Sequence, residues 1–212
     1  MLDLCCGDGF LLTHLHARGV RAQGIDLSPG EVAAAQARGM NARVGRAQRL
    51  PYPRHRFDAV VSTWALMLLD DLELVLAEVL RVLRPGGRLH AVIGTGSPPV
   101  EGNRWPEVVD LIRATPRPGM VPLGDRRARD PDALAQLLAA AGFTGIDVEV
   151  HPYDLSGTAE QAVALADAMY DAAWMGSADR AAMAEAIRER LSPLTNPLYL
   201  GVMEVSCSAP AA

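Results

Sequence analysis

The first ten residues constrain this chain more than any other stretch. They read Met1-Leu2-Asp3-Leu4-Cys5-Cys6-Gly7-Asp8-Gly9-Phe10, an apolar segment followed by small residues, and a helical pattern starts at Phe10. Gly7 and Gly9 lack a Cβ and can adopt positive φ, so the backbone can turn sharply there and approach a ligand. The N-terminus of the following helix offers unpaired N–H groups and the positive end of a dipole. The stretch therefore predicts a strand, a ligand-binding loop and a helix.

Strands and helices alternate along the rest of the chain. Strands are predicted at residues 20–26, 41–44, 57–64, 89–93, 146–150 and 198–207, with amphipathic helices between most of them. This alternation predicts an α/β fold with a mostly parallel sheet and helices on both faces. In such sheets ligands bind beyond the carboxyl ends of the strands. The polar and small residues of interest lie at such ends: residues 3–9, Asp26, residues 46–48 and Ser62.

Asp26 follows the second predicted strand, about 20 residues after the glycine loop. Ser28 is a good N-cap for the next helix, Pro29 suits the first helical position, and Glu31 is placed to complete a capping box. A carboxylate just past a strand end can accept hydrogen bonds from both hydroxyls of a ribose. The alternative is that Asp26 serves only as a turn or cap carboxylate.

These residues resemble the motifs of class I S-adenosylmethionine-dependent methyltransferases. Asp3, Gly7 and Gly9 look like the family's D-x-G-x-G-x-G, with Cys5 at the first glycine. Further similar segments are G-I-D-L-S-P (24–29), G-R-A-Q-R-L-P-Y (45–52), F-D-A-V-V-S (57–62), E-V-L-R-V-L-R-P-G-G-R-L (78–89) and A-A-G-F-T (140–144). The resemblance implies a Rossmann-like seven-stranded sheet with an antiparallel last strand, and S-adenosylmethionine as cofactor.

The resemblance also implies a set of cofactor-binding residues. The family usually has an acid where Arg46 stands, and an arginine cannot accept from the adenine amino group. Either Gln48 accepts instead, or that contact is lost and Arg46 packs across the ring. The set expected to bind the cofactor is Asp3, Cys5, Cys6, Gly7, Gly9, Asp26, Leu27, Arg46, Ala47, Gln48, Ser62 and Thr63.

No catalytic side chain is assigned by sequence. The family often has a histidine shortly after the fourth strand, and residues 64–69 contain none. Residues 62–64, which end in Trp64, are expected to face the transferring methyl group. Trp105 is expected to line a substrate pocket unless it belongs to a small satellite core. His151 and Tyr153 are candidate bases, with an ordinary surface role as the alternative. An N/D-P-P-Y motif and a Pro-Cys nucleophile are missing, which favours a small-molecule acceptor over a DNA base.

The length of 212 residues suits one domain. We expect a cofactor-binding core at 1–95, a lid-like loop at 96–129 and a helical insertion at 153–195. The insertion is either a substrate cap or an extra packing layer. The chain starts at its first strand, although the family usually carries a preceding segment that covers the cofactor. Either that segment is absent by nature or the sequence is a fragment.

Composition narrows the partners and the compartment. The net charge is −5 and the arginines look interleaved with acids, which disfavours nucleic acid as a partner. No signal peptide or membrane-spanning run is found, so a cytoplasmic protein without a membrane partner is expected. The three cysteines suit a reduced protein. Cys5 and Cys6 are expected to fill space rather than to bind a metal, and no metal site is predicted.

Two other functions remain open at this point. One is a non-catalytic or truncated protein of the same fold that binds the cofactor weakly, which Cys5 and Arg46 would explain. The other is an NAD-dependent oxidoreductase. It is disfavoured because the dinucleotide fingerprint G-x-G-x-x-G has Leu12 at its third glycine. The accepting atom and the oligomeric state are not determined by sequence.

Overall fold

The computed structural model describes residues 1–121 and 123–211. Its strands are β1 (Leu2–Leu4), β2 (Gln23–Asp26), β3 (Ala42–Val44), β4 (Phe57–Thr63), β5 (Leu83–Gly96), β6 (Thr144–Asp154) and β7 (Tyr199–Ser208). Its α-helices are α1 (Phe10–Ala17), α2 (Pro29–Ala37), α3 (Leu72–Val82), α4 (Trp105–Ala114), α5 (Pro131–Ala141), α6 (Ala159–Asp167) and α7 (Ser177–Arg190).

The seven strands form one sheet in the order β3-β2-β1-β4-β5-β7-β6. The first five pair in parallel, and β7 is antiparallel to both β5 and β6. In β1, Asp3 lies beside Gly24 of β2 and Val61 of β4. The predicted fold class is confirmed. Because β1 to β4 are parallel, their carboxyl ends meet at one edge of the sheet.

Helices cover both faces of the sheet. On β2, a Cβ built on Gly24 would meet Leu12 of α1, whereas the neighbouring Ile25 packs in a cluster that contains the apolar side of α3. Successive side chains of a strand point to opposite faces, so α1 and α3 lie on different sides. The α3 side holds the larger core. It includes the buried residues Val75, Leu76 and Val79 of α3 and Leu134, Leu137 and Leu138 of α5.

Two local predictions need correction. Ser28 caps α2 by accepting from the Glu31 N–H, but the Ser28 N–H donates to Asp26 and not to Glu31, so the capping box is only half formed. The fifth strand begins at Leu83 rather than at residue 89. Phe57 pairs with Leu83, and the register shifts before Ala59 pairs with Arg88. Residues 83–88 are therefore an irregular, bulged start of β5.

The chain divides into two compact units. The first contains Met1–Gly94, Leu123–Val150 and Met203–Ala212, and the second contains Thr95–Pro122 and His151–Val202. The second unit has its own apolar cluster, to which α4, α6 and α7 contribute Trp105, Val108, Ala162, Met183 and Ile187. Most of the expected lid-like loop and the expected helical insertion thus belong to the second unit, whereas residues 123–129 of that loop belong to the first. Among the described residues, the helices are all too short or too polar to cross a bilayer.

Gly24 offers a test of how closely α1 and the loop pack on the sheet. A Cβ at this position would lie 2.4 Å from Cys6 Sγ and 2.7 Å from Leu12 Cδ1. We expect Gly24→Ala to lower the free energy of unfolding by about 1–3 kcal/mol because the buried neighbours must shift. Gly30→Ala is the matched control. Its Cβ would meet only Ser28 Oγ at 3.7 Å, so we expect a change from none to a gain of about 1 kcal/mol.

Urea denaturation of the two variants beside the wild type measures both effects. Equal losses for Gly24→Ala and Gly30→Ala would contradict the close packing described for Gly24.

Candidate cofactor site

The loop between β1 and α1 has the sharp backbone turn expected from its sequence. Cys5, Gly7 and Gly9 all have positive φ, at 61°, 51° and 79°. A Cβ on Gly9 would lie 2.9 Å from the Ala35 Cβ of α2, so only glycine fits both the conformation and the space. Cys5, at the first glycine position of the motif, holds a left-handed conformation that costs a non-glycine residue about 1–2 kcal/mol.

Asp3 is the one carboxylate at this edge that is fully buried and unpaired. Its exposed fraction is 1%, and neither oxygen has a hydrogen-bond partner. Burial, helped by the nearby charge of Asp26, raises the pKa of Asp3 to about 7. A buried carboxylate without a partner is costly unless a ligand compensates it. Asp3 is therefore the strongest structural sign of a ligand site in the molecule.

Asp26 links the loop to the end of β2. Its Oδ2 accepts from the Gly7 N–H at 2.9 Å, and its Oδ1 accepts from the Ser28 N–H at 2.9 Å. Each carboxylate oxygen has two lone pairs, so both oxygens can accept a further hydrogen bond. The side chain is half-buried, and Leu27 beside it is 59% exposed. The cap role and a ligand role for Asp26 are therefore compatible.

The two adjacent cysteines are unreactive in this setting. Burial raises the pKa of Cys5 and of Cys6 to about 12, and the charges of Asp3 and Asp26 act in the same direction. The thiolate is the nucleophile and the metal ligand, and it is scarcely formed at such a pKa. Within the described part of the chain, no group of three or more His, Cys, Asp or Glu is placed to hold a metal ion.

The segment after β3 carries the three residues expected near the adenine. Arg46 is exposed, and its backbone forms an isolated antiparallel β-bridge with that of Arg49. Ala47 is buried. Gln48 donates from Nε2 to the Asp70 carbonyl at 2.9 Å. The amide nitrogen of Gln48 is thus engaged with the backbone of Asp70, and Oε1 of Gln48 is left to accept a hydrogen bond from a ligand. Of the two alternatives raised by sequence, the geometry is compatible with acceptance by Gln48.

A pair of charged residues on α3, Glu78 and Arg81, forms a clamp that holds this segment on the helix. Glu78 accepts from the Leu50 N–H at 2.6 Å, and Arg81 donates to the carbonyls of Tyr52 and Leu50 at 2.8 and 3.0 Å. Arg81 also donates to both Glu78 oxygens, which lowers the pKa of Glu78. The signal for it was the Glu–Arg spacing of three in the family-like run, which places both side chains on one helix face.

Replacing Arg81 by lysine tests this clamp. Lysine is a point donor and cannot reproduce the forked contacts. Because backbone groups of the loop then lose partners, we expect the free energy of unfolding to fall by about 1–3 kcal/mol and the affinity for an adenosine ligand to fall with it. Arg84→Lys is the matched control. Because the Arg84–Asp58 pair is exposed, this variant should lose much less free energy of unfolding. Similar losses in both variants would show that the clamp has no special role.

The end of β4 contributes Ser62, Thr63 and Trp64. Ser62 is buried and its Oγ donates to the Leu4 carbonyl at 3.1 Å, which ties the ends of β4 and β1 together. Thr63 is half-buried. Trp64 has a φ of 57° and is 43% exposed, and its ring lies against Gly94. A bulky residue in this conformation is strained and often marks a functional position.

The other residues expected to contact substrate belong to the second unit. Trp105 is buried in the apolar cluster of that unit, with 3% of it exposed, so there it acts as a core residue. His151 is exposed, and Tyr153 is 57% exposed. The substrate roles of Trp105, His151 and Tyr153 stay predictions.

Known proteins resemble this chain in both sequence and fold. The family described as "Methyltransferase domain" matches residues 2–91. A demethylmenaquinone methyltransferase from Mycolicibacterium paratuberculosis is 32% identical over 157 residues, covering 69% of this chain and 68% of that protein. A malonyl-[acyl-carrier protein] O-methyltransferase from Serratia marcescens is 32% identical over 111 residues, covering 51% and 44%. The crystal structure of the [4+2]-cyclase SpnF has a TM-score of 0.62 at 26% identity, covering all of this chain and 75% of that one.

The fold, the loop and these similarities define the class of protein. The chain belongs to the class I S-adenosylmethionine-dependent methyltransferases. It is an enzyme of that family and its cofactor is S-adenosylmethionine. Its alignment with the two curated relatives above spans between 44% and 68% of their lengths.

The described residues fit this cofactor. S-adenosylmethionine carries an ammonium, a sulfonium, a ribose diol and an adenine. Asp3 supplies an unpaired buried carboxylate for a cation, Asp26 has spare acceptor capacity, and Gln48 has a free amide oxygen. A Cβ at Gly7 would meet only Glu31 Oε2, at 3.7 Å, so the backbone there leaves room for a ligand to approach closely.

Proposed function

We propose that this chain transfers the methyl group of S-adenosylmethionine to a small-molecule acceptor. The observation that carries the proposal is the convergence of the candidate residues at the carboxyl ends of β1 to β4, around the unpaired carboxylate of Asp3. Of the two curated relatives above, one is named a demethylmenaquinone methyltransferase and the other a malonyl-[acyl-carrier protein] O-methyltransferase. The chemical class of acceptor for this chain is left to experiment.

S-adenosylmethionine would supply an electrophilic methyl group. An acceptor nucleophile would form a bond to this methyl in line as the methyl–sulfur bond breaks, and S-adenosylhomocysteine would leave with the electron pair. The residues of this chain bind and orient. Asp26 is proposed to hold the ribose diol, Asp3 the cationic end of the cofactor, and Gln48 with the Ala47 N–H the adenine. Leu27, Arg46, Ser62 and Thr63, with the loop residues Cys5, Cys6, Gly7 and Gly9, complete the proposed cofactor site.

Orientation can account for much of such a reaction. Holding two reactants in line can remove roughly 7–11 kcal/mol of barrier, so a dedicated catalytic side chain is not required. Trp64 is proposed to contact the acceptor because its exposed indole stands at the end of β4, in the same unit as the cofactor residues. We also propose a cytoplasmic location, on the three free cysteines.

An assay with methyl-deuterated S-adenosylmethionine tests the proposal. The chain is incubated separately with a quinol, a phenol, a carboxylic acid and an amine, and mass spectrometry detects labelled product and released S-adenosylhomocysteine. We expect label in at least one of these, and at least about tenfold less with Asp26→Asn, a change of 1.4 kcal/mol or more. Label found only in added DNA or protein would contradict a small-molecule acceptor.

A further inference from the structure

The residues between Glu31 and Asp58 form a basic stretch in an otherwise acidic chain. They include six arginines and one histidine and not one Asp or Glu, although the whole chain has a net charge of −5. In this stretch the arginines are not interleaved with acids, contrary to the expectation from the whole chain. Arg38 pairs with Asp8, and the other five define what we call the arginine strip: Arg43, Arg46, Arg49, Arg54 and Arg56.

All five side chains of the arginine strip are exposed. Within the described part of the chain, none of them forms an ion pair with a carboxylate. Surface arginines elsewhere commonly have such partners, for example Arg180 with Asp167 and Arg188 with Glu160. The charge of Arg54 helps to lower the pKa of Glu78, but Glu78 is already bonded to Arg81. The strip therefore keeps an excess of positive charge, which attracts an anionic partner and speeds its association.

Two of the arginines are held in place by aromatic rings. The Arg43 guanidinium carbon lies 5.2 Å from the Tyr52 ring centroid, and that of Arg56 lies 5.8 Å from the Phe57 ring centroid. The two rings pack edge to face, with 5.0 Å between their centroids. Stacking orders a guanidinium while its N–H donors remain available, so less entropy is lost when it pairs with a carboxylate.

A nucleic acid, a membrane surface and an acidic protein differ in what they need from the residues around a cationic strip. Arg46 follows the carboxyl end of β3, and Arg56 precedes the amino end of β4, so the strip extends from one end of these parallel strands to the other. Base stacking in nucleic acid complexes needs exposed aromatic rings, but Tyr52 and Phe57 are buried. Membrane surfaces favour cations around several large exposed apolar side chains, and Val44 is the only exposed large hydrophobic residue within residues 43–56.

We propose that the arginine strip is a docking surface for an acidic protein, one that presents a row of Asp and Glu side chains. Forked guanidinium groups pair with carboxylates through two hydrogen bonds, and arginine is enriched in protein interfaces. Arg49, Arg54 and Arg56 lie outside the proposed cofactor residues. Docking can thus be tested separately from cofactor binding.

Fluorescence anisotropy of the full chain with labelled oligo-glutamate tests the proposal. We expect binding at about 50 mM salt that weakens at least tenfold at about 300 mM, because exposed charges are screened over shorter distances. The triple variant Arg49→Gln, Arg54→Gln, Arg56→Gln should bind at least tenfold more weakly. The control Arg88→Gln, Arg126→Gln, Arg190→Gln removes the same charge from exposed arginines elsewhere and should stay within twofold of the wild type.

The competing partners are arms of the same experiment. Equal losses in the two triple variants would overturn the proposal, since net charge alone would then explain binding. Tighter binding to single-stranded DNA or to phosphatidylglycerol vesicles than to oligo-glutamate would also overturn it, in favour of a phosphate-bearing partner. Thermal unfolding of both triple variants checks that each is folded, and titration with S-adenosylhomocysteine checks the cofactor site independently.

Discussion

Asp3→Asn is expected to make the ligand-free protein more stable while it weakens cofactor binding. Folding buries the Asp3 carboxylate without a partner and raises its pKa from 3.8 to about 7. A shift of this size corresponds to about 4 kcal/mol, so we expect a gain of about 2–4 kcal/mol in the free energy of unfolding at pH 8. Loss of a charged acceptor should weaken S-adenosylmethionine binding by about 1.5–3 kcal/mol, or roughly tenfold to a hundredfold.

The gain in stability should depend on pH in a defined direction. Below the unfolded pKa of 3.8, Asp3 is protonated in both states and contributes nothing. Between 3.8 and about 7 the folded state keeps a proton that the unfolded state has lost, so stability falls as the pH rises. Above about pH 7 Asp3 is ionised in both states, and the full loss of stability from burying its charge is present. Asparagine cannot ionise, so this slope should be absent from the variant.

Urea denaturation at pH 5 and pH 8 measures the effect. Asp58→Asn is the control, because Asp58 is exposed and Arg84 holds its pKa below its usual range. That variant should not gain stability at pH 8. An Asp3→Asn protein that loses stability at pH 8 would show that the carboxylate has a partner after all.

Asp26→Asn is expected to weaken S-adenosylhomocysteine binding about a hundredfold. The amide nitrogen cannot accept from the Gly7 or Ser28 N–H, and the remaining oxygen is a weaker acceptor than a carboxylate. One charge-assisted hydrogen bond of about 1.5–3 kcal/mol is lost and the other is weakened, which is sufficient for that factor. Glu31→Gln is the matched control, since it removes an exposed carboxylate close to the same loop and should change affinity little.

A double-mutant cycle separates ribose binding from loop support. The wild type should bind S-adenosylhomocysteine more tightly than its 2′-deoxy analogue, and Asp26→Asn should bind the two almost equally. If the variant retains the full preference, Asp26 acts on the loop alone.

Sequence predicted the fold well where local chemistry and tertiary packing agree. Thr158 and Gln161 have the spacing of a capping box and form one, Asp130 directly precedes Pro131 and caps α5, and Gly142 ends that helix in a left-handed conformation. The sheet order and the antiparallel last strand follow the family resemblance. Each of these features depends on a short segment or on a topology that many chains share.

Sequence failed where distant residues decide the local structure. Asp71 precedes α3 in a left-handed conformation without a side-chain cap, while Asp70 accepts from the distant Gly124 N–H. Ser28 has its N–H satisfied by Asp26 across the turn rather than by Glu31. A pattern of residues cannot show which of two nearby carboxylates reaches a given donor.

The residues of the candidate site are proposed from sequence, and the sequence says nothing about their energetics. The motif singled out Asp3, yet nothing in the sequence shows that both its oxygens are buried without a partner. Likewise, the family-like run contained Glu78 and Arg81, but their bonds to Leu50 and Tyr52 depend on how the loop folds back on α3. Burial and hydrogen-bond balance are properties of the packed molecule.

Calorimetric titration of the full chain with S-adenosylhomocysteine, with NAD as control, tests the proposed site most directly. We expect a dissociation constant near or below about 10 μM, or roughly −7 kcal/mol, and no detectable binding of NAD. Proton uptake or release measured in buffers of different ionisation enthalpy should show Asp3 losing its proton on binding near pH 7. A folded sample that gives no heat with millimolar S-adenosylhomocysteine, or that prefers NAD, would contradict the site described here.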